Sequence, residues 1–235
     1  MKKLQVLFSA FCLFFPTLSA QEMQQITVWK NGNILYNSNL SLTDSIRFSS
    51  FSVPNTPDGV LINGVVWACC NVDMPGTFVS QPNKAGMFYQ WNRNIGWSST
   101  NPMINSNGGT EWDSSMPIGD IWEQANNPCP TGWRLPTYDE QWNLLNSWNL
   151  WGELEGVAGR FFGTGDQKLF FPAAGLRESY DGWLYYVGYN GYYWSGESYT
   201  DYNYDYAYCI YFYNNSFYMS DIYRSNACSV RCVSE

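Results

Sequence analysis

The side chains that could carry chemistry in this sequence are cysteines, carboxylates and a dense set of tyrosines, because the chain has no histidine. Without imidazole, the Ser-His-Asp and Cys-His arrangements of nucleophilic catalysis and the usual histidine-containing zinc sites are excluded. A pair of carboxylates could still hydrolyse a glycosidic bond, but their separation is a property of the folded chain. We therefore predict a protein without catalysis and keep a carboxylate-dependent polysaccharide hydrolase as the alternative.

Tyrosine is most concentrated between residues 180 and 223, and it alternates with Asp and Asn over residues 201–206. An extended chain would place such alternating tyrosines on one face. Exposed tyrosine offers a large, rigid contact area that stacks on sugar rings or protein side chains, whereas buried tyrosine only packs the core, as we expect for residues 192–194. The candidate ligand-binding residues are Trp183, Tyr185, Tyr199, Tyr202, Tyr204 and Tyr206.

Three residues of the same stretch, Asp201, Asn203 and Asp205, match the beginning of a calcium loop. The match then fails, because the sixth position is Tyr206 where the loop needs glycine, and the twelfth is Phe212 where it needs glutamate. We expect no cofactor, and calcium at the three matching residues stays as the weaker alternative.

The charge balance argues against nucleic acid as a partner. The chain has 12 Lys and Arg against 20 Asp and Glu, for a net charge of −8. Phosphate binding requires a basic face, which this composition does not supply. The expected partner is a glycan or a surface protein, whose identity the sequence does not specify.

Residues 1–20 have the pattern of an export signal, with Lys2 and Lys3 before an apolar run and a small-residue cleavage site ending at Ala20. The apolar run is too short for a membrane-spanning helix, which needs about 20 residues. The pattern predicts an exported protein in the periplasm, on the outer surface or outside the cell, with no membrane span.

The remainder divides into a short strand-rich lead segment (residues 21–53), a linker rich in Pro, Asn and Gly (54–59) and one domain (60–235). In the lead segment, strands over residues 26–29 and 34–36 are joined by a hairpin signal at Asn31-Gly32, and a third apolar patch covers 46–51. Lead strands that pair with the sheet edge of a partner would make the protein a structural subunit of a surface appendage, a further alternative.

In the domain, the clearest local element is a helix that begins at Thr137, whose side chain can form a reciprocal capping box with Glu140. We predict that this helix runs to about Trp148. Most of the rest consists of short aromatic and β-branched runs broken by Gly, Asn, Ser and Pro, which favours a loop-rich domain with more strand than helix. We assign the class α+β.

Six cysteines follow the predicted signal: Cys69, Cys70, Cys129, Cys209, Cys228 and Cys232. An even number in an oxidising compartment favours disulfides over a zinc site, but spacing alone does not select the pairs. Adjacent Cys69 and Cys70 are hard to join to each other without strain, and their role stays open.

A series of short blocks, in order along residues 60–235, resembles the Fibrobacter succinogenes major paralogous domain. The blocks are Gly64-Val65-Val66-Trp67-Ala68, Asn71-Val72-Asp73, Tyr89-Gln90-Trp91, Pro128-Cys129-Pro130-Thr131-Gly132-Trp133-Arg134-Leu135-Pro136-Thr137, Phe171-Pro172-Ala173-Ala174-Gly175-Leu176-Arg177, Gly191-Tyr192-Tyr193-Trp194-Ser195 and Ser229-Val230-Arg231-Cys232-Val233.

The resemblance implies a C-type-lectin-like fold, with small twisted antiparallel sheets, one or two helices and many loops. It also implies a long-range disulfide at Cys129 and Cys232, and leaves Cys209 and Cys228 as the second candidate pair. The calcium-binding sugar motif of carbohydrate-binding C-type lectins does not occur near Trp194. Calcium-dependent sugar binding is therefore not supported. We predict an exported or cell-surface binding or adhesion module that recognises a glycan or protein ligand through its aromatic-rich loops.

Overall fold

The chain is seen in a computed structural model, which describes the backbone of three N-terminal strands and residues 59–165, 167–199 and 205–235. It divides into two compact units, Met1–Phe51 and Ser52–Glu235.

The first unit contains an antiparallel sheet in the order β1-β2-β3, formed by β1 (Val6–Phe8), β2 (Gln24–Lys30) and β3 (Asn33–Leu40). Lys30 of β2 pairs with Asn33 of β3, so the predicted hairpin is confirmed. Strand β1 lies inside the segment that we interpret as an export signal. The apolar patch 46–51 and residues 54–58 of the predicted linker lie outside the described residues.

The second unit is built from short strands. In chain order they are β4 (Val60–Ile62), β5 (Val65–Trp67), β6 (Met87–Gln90), β7 (Gly96–Ser98), β8 (Trp133–Arg134), β9 (Asn149–Leu154), β10 (Val157–Phe162), β11 (Leu169–Pro172), β12 (Leu176–Arg177), β13 (Leu184–Tyr185), β14 (Asn190–Ser198), β15 (Tyr206–Tyr213), β16 (Ser216–Tyr223), β17 (Ala227–Cys228) and β18 (Val233–Ser234). They form antiparallel sheets in the orders β11-β10-β9, β13-β12-β17-β6-β7, β14-β15-β16 and β4-β5-β18-β8.

The predicted α+β class with a C-type-lectin-like fold is wrong, because the protein is mostly β. Strands make up 41% of the structure and helical segments 6%. Within the described residues there is one α-helix, α1 (Tyr138–Leu145), and one 3₁₀ turn, Gln124–Asn126. The physical reason is that, among the described residues, one segment combines a helix start with helical spacing, while the aromatic runs form strands that are buried at several consecutive positions.

The start of α1 is confirmed. The Thr137 side chain accepts a hydrogen bond from the amide of Glu140, and the Glu140 carboxylate accepts one from the amide of Thr137. The helix ends at Leu145, three residues before the predicted end, because the chain turns into β9. In the described part of the chain, no helix is long and apolar enough to cross a membrane.

The first and last strands of the second unit meet in one sheet. Val233 of β18 pairs with Trp67 of β5 on one side and with Arg134 of β8 on the other. Tyr193 and Trp194 of β14 are completely buried, as expected for packing residues. The core is thus filled largely by aromatic rings from strands that are distant in sequence.

The Cys129–Cys232 disulfide is present, as the resemblance implied, and it joins the segment before β8 to the segment before β18. Cys209 and Cys228 do not form the second pair: both thiols are free and completely buried. Cys69 and Cys70 are also free and buried.

Replacing Cys129 and Cys232 together by serine should lower the free energy of unfolding by about 4 to 5 kcal/mol in the chain-entropy model. The bond spans 103 residues, so it removes much conformational freedom from the unfolded chain. Denaturant unfolding of the oxidised protein and the double variant measures this difference. A loss below about 1 kcal/mol would show that the bond does not constrain the unfolded state in this way.

Candidate binding site

Residues 180–189, which we call the aromatic segment, expose a row of large side chains. Tyr180 is 83% exposed, Trp183 66%, Tyr185 41%, Tyr186 54% and Tyr189 74%. Large aromatic side chains exposed so close together are unusual on a protein surface, and exposed apolar patches of this kind mark sites of interaction. The segment begins after β12 and leads directly into β14.

Backbone hydrogen bonds hold the aromatic segment against the domain. Strand β13 pairs with β12, and the amide of Gly188 donates to the carbonyl of Ala173 at 2.7 Å. The amides of Tyr189 and Asn190 both donate to the carbonyl of Tyr186 at 3.0 Å. The segment is therefore a shaped surface whose ordering cost has been met by folding rather than by ligand binding.

Arg177 anchors the beginning of the segment. Its side chain is 1% exposed, and its guanidinium donates to the carbonyls of Gly182, Ser98 and Thr100, each at 2.7 Å. A planar group with several fixed donors suits such bracing. Arg177 thus has a structural role: it braces the beginning of the segment against residues 98–100.

Tyr186 lies at the centre of the segment in a left-handed backbone conformation, with φ of 62°. A bulky side chain rarely adopts this region, and such strain persists only where the surroundings impose it. The ring packs beside those of Tyr185 and Tyr192, with centroids 5.9 and 6.4 Å away. With Tyr186 in this conformation, the side chains of both Tyr185 and Tyr186 are exposed.

An open cleft of about 910 Å³ adjoins the segment, which contributes Val187 and Gly188 to its wall. The other lining residues come from four further stretches of the chain, residues 73–86, 99–100, 156–158 and 172–174. Asp73, Ser80, Asn83, Lys84 and Thr100 supply side-chain polar groups. A concave surface of this size with few polar groups is typical of a small-ligand site.

Asn83 is the polar residue of the cleft whose hydrogen bonding is incomplete. Its side chain is 7% exposed, and its Nδ2 donates to Oε2 of Glu155 at 3.0 Å. Its Oδ1 is buried and has no hydrogen-bond partner. An unpaired buried acceptor costs about 1 to 3 kcal/mol, so a side-chain rotation that brought this oxygen to a donor at the cleft surface would be favourable.

The hairpin turn between β9 and β10 carries Glu155. Glu155 and Gly156 occupy the two turn positions, and both have positive φ, of 51° and 81°. This is the backbone pattern of a tight two-residue hairpin. The turn therefore fixes the carboxylate that orients the amide of Asn83.

The structure separates the predicted ligand-binding residues. Trp183 and Tyr185 lie in the aromatic segment, whereas Tyr199 and Tyr206 lie at the far end of β14, where the amide of Tyr199 donates to the carbonyl of Tyr206 at 3.1 Å. The nine residues of β14 extend roughly 25 Å. Tyr199 packs on Tyr208, and Tyr206 packs on Tyr223, with ring centroids 5.3 and 4.5 Å apart.

The remaining predicted residues, Tyr202, Tyr204, Asp201 and Asn203, lie outside the described residues. Asp205 is described and is partly buried, and the carbonyl of its backbone accepts a hydrogen bond from the amide of Arg224 at 2.8 Å. No group of three or more Cys, Asp or Glu residues suited to a metal ion occurs in the part of the chain that the structure describes.

The sequence alone does not reveal the cleft as a binding site, and within the aromatic segment it indicates only Trp183 and Tyr185. Asn83 lies in Gln81-Pro82-Asn83, letters that occur in calcium lectins, but its partner Glu155 is 72 residues away. No local pattern reports such a contact. Tyr186 and Tyr189 belong to the tyrosine-rich stretch, but composition does not separate exposed tyrosines from buried Tyr193.

Comparison with known proteins gives a match to a family model over part of the chain. A family model described as a domain of unknown function (DUF8237) matches residues 158–233, about a third of the chain. No curated protein matches the chain, and no solved structure does. The matched region contains the aromatic segment, but the cleft lining from residues 73–86 and 99–100 lies outside it.

Replacing Gly175 by alanine should displace the aromatic segment and lower the free energy of unfolding by at least about 2 kcal/mol. Gly175 has φ of 76°, and an added Cβ would overlap the carbonyl oxygen of Tyr185. Denaturant unfolding and amide hydrogen exchange over residues 178–189 measure the two effects.

Gly188→Ala is the matched control, because Gly188 has φ of 81° with no atom within 4 Å of an added Cβ. Its cost should be only the backbone strain, about 1 kcal/mol. Equal losses in the two variants would show that the close approach of Tyr185 to Gly175 does not support the segment.

Proposed function

We propose that this protein is an exported, non-catalytic binding module that recognises a glycan through the aromatic segment and the adjoining cleft. The observation that carries the proposal is the exposure of five aromatic side chains within ten residues on a hydrogen-bonded backbone. Aromatic faces stack against the apolar faces of sugar rings and contribute large contact areas. The resemblance to the Fibrobacter succinogenes major paralogous domain and the predicted signal over residues 1–20 support export.

The cleft favours a glycan over a flat protein surface. It is concave, and its wall combines the side chains of Asn83 and Asp73 with the apolar residues Val187 and Pro172. Sugar hydroxyls are donors, so a small rotation of the Asn83 side chain would let one hydroxyl satisfy its unpaired, buried oxygen while the ring packs on the apolar wall. Such a ligand combines stacking on the segment with hydrogen bonding in the cleft.

Trp183→Ala and Tyr189→Ala should each weaken glycan binding about tenfold, which corresponds to the loss of roughly 1.4 kcal/mol of stacking energy. The first measurement is a screen of glycans and polysaccharides with the purified protein, with calcium and with a chelator. Titration calorimetry on the strongest ligand then gives the dissociation constants of the variants.

Trp142→Ala is the matched control, because Trp142 is a tryptophan of similar exposure, 48%, on α1 and outside the cleft lining. It should leave the dissociation constant unchanged. Equal weakening by Trp142→Ala, or binding that the chelator abolishes, would contradict recognition by the aromatic segment. Release of reducing sugar during the screen would support the hydrolase, and absence of any glycan ligand would reject the proposal.

Asn83→Ala should weaken binding of the same ligand about three- to tenfold, because it removes the acceptor that the ligand satisfies. Glu155→Ala removes the partner of Asn83 Nδ2 but leaves Oδ1 in place. If both variants lose affinity equally, Asn83 acts by holding the hairpin turn and does not contact the ligand. Calorimetry on the two variants separates these outcomes.

A further inference from the structure

Cys69 and Cys70 form a buried pair of thiols directly after β5. Their exposed fractions are 8% and 2%, and their Sγ atoms lie 2.9 Å apart. Neither belongs to the disulfide of the protein. Two sulfur atoms on consecutive residues are therefore in direct contact inside the core.

A buried cation is hydrogen-bonded to the backbone beside this pair. Arg231 is 1% exposed, and its guanidinium donates to the carbonyls of Ala68, Cys69 and Phe170 and to Oδ1 of Asn71, at 2.8 to 3.1 Å. In the described residues, the ion pairs join Arg93 to Asp113 and Arg134 to Glu140, so no carboxylate balances Arg231. A buried charge without a counter-ion is costly.

We propose that Cys69 and Cys70, whose sulfur atoms are in contact beside the buried Arg231, are a redox-active dithiol, and that a low-molecular-weight disulfide oxidises the pair to a vicinal disulfide. The proposal does not depend on glycan binding.

The reaction is thiol–disulfide exchange in two steps. The Cys69 thiolate attacks one sulfur of the oxidant, which forms a mixed disulfide and releases the first thiolate. Cys70 then gives its proton to solvent and its sulfur attacks that of Cys69, which closes the ring and releases the second thiolate. Two electrons pass from the protein to the oxidant, and the oxidant becomes two thiols after uptake of two protons.

The short distance between adjacent Cα atoms makes the vicinal disulfide easy to reduce again. Consecutive Cα atoms on a trans peptide are about 3.8 Å apart, which is below the usual range of about 4.4 to 6.8 Å for disulfides. Strained disulfides are reduced more easily than structural ones. A mild dithiol reductant should therefore reopen the pair before it opens Cys129–Cys232.

The surroundings of the two sulfurs assign their roles. The hydrogen bond from Cys70 and the charge of Arg231, against the opposing effect of burial, lower the pKa of Cys69 to about 7. The same hydrogen bond, together with burial, raises the pKa of Cys70. Burial raises the pKa of Tyr193, the other titratable group that acts on Arg231, to about 12, so it stays neutral. Cys69 is the attacking sulfur and Cys70 the resolving one.

Cys209 and Cys228 are an internal control, because they are buried thiols for which burial raises the pKa of both and no arginine is among the causes that shift them. Burial alone predicts that they resist the oxidant as thiols. A difference between the two pairs therefore reports the specific surroundings of Cys69 and Cys70.

The test is peptide mapping after incubation of the purified protein with glutathione disulfide, acid quenching and alkylation in denaturant. Trypsin separates the cysteines well: the peptide over residues 48–84 contains Cys69 and Cys70 and no other cysteine, and Cys209 and Cys228 fall on different peptides. The 48–84 peptide should lose about 2 Da and take up no alkyl group. After treatment with a dithiol reductant it should take up two.

Two variants and a pH series identify the order of events. Cys70→Ser should stop at a mixed disulfide between glutathione and Cys69, since a serine hydroxyl can still donate to the thiolate but cannot close the ring. Cys69→Ser should react at least about tenfold more slowly, because it removes the lower-pKa thiol and burial still raises the pKa of the remaining Cys70. The rate of the unmodified protein should rise as the pH passes through about 7, where Cys69 ionises.

Three results would overturn the proposal. The first is two alkyl groups on the 48–84 peptide after oxidation while Cys129 and Cys232 stay linked. The second is a bond from that peptide to Cys209 or Cys228. The third is a rate that rises only near the ordinary cysteine pKa of 9.0, since the hydrogen bond from Cys70 and the charge of Arg231 would then not lower the pKa of Cys69.

Discussion

The buried guanidinium of Arg231 connects parts of the chain that no continuous sheet joins. It donates hydrogen bonds to the segment after β5, at Ala68 and Cys69, to the side chain of Asn71 and to Phe170 of β11. Buried carbonyls must find donors, and short strands leave many of them without a strand partner. One rigid group with several donors meets this demand, at the cost of placing a positive charge in the core.

The same solution recurs elsewhere in the loop-rich unit. Arg177 donates to the carbonyl of Gly182 in the aromatic segment and to those of Ser98 and Thr100. Arg224 donates to the carbonyls of Gly119 and Tyr206, and its guanidinium lies 4.5 Å from the ring centroid of Trp91. Each arginine satisfies loops that would otherwise need water or longer strands. The loops are consequently fixed in place, which is the property that a preformed binding surface requires.

The distribution of aromatic side chains divides core from surface over very few residues. Tyr193 and Trp194 are completely buried in β14, whereas Tyr189, one residue before that strand, is 74% exposed. The buried rings supply the area that holds the domain together, and the exposed rings remain available for a ligand. Tyrosine thus contributes both to the rigid core, within β14, and to the exposed aromatic surface, just before β14 begins.

The sequence by itself determined the features whose interactions are local. The hairpin of β2 with β3 and the capping box of Thr137 with Glu140 depend on residues within a few positions of each other, and both are present. The Cys129–Cys232 bond followed from a resemblance carried by short blocks. Tertiary structure alone decided the mostly β class, the contact of Asn83 with Glu155, and the position of Arg231 beside Cys69. Those contacts span 72 and 162 residues, and they depend on strand register and packing, which no local pattern of residues encodes.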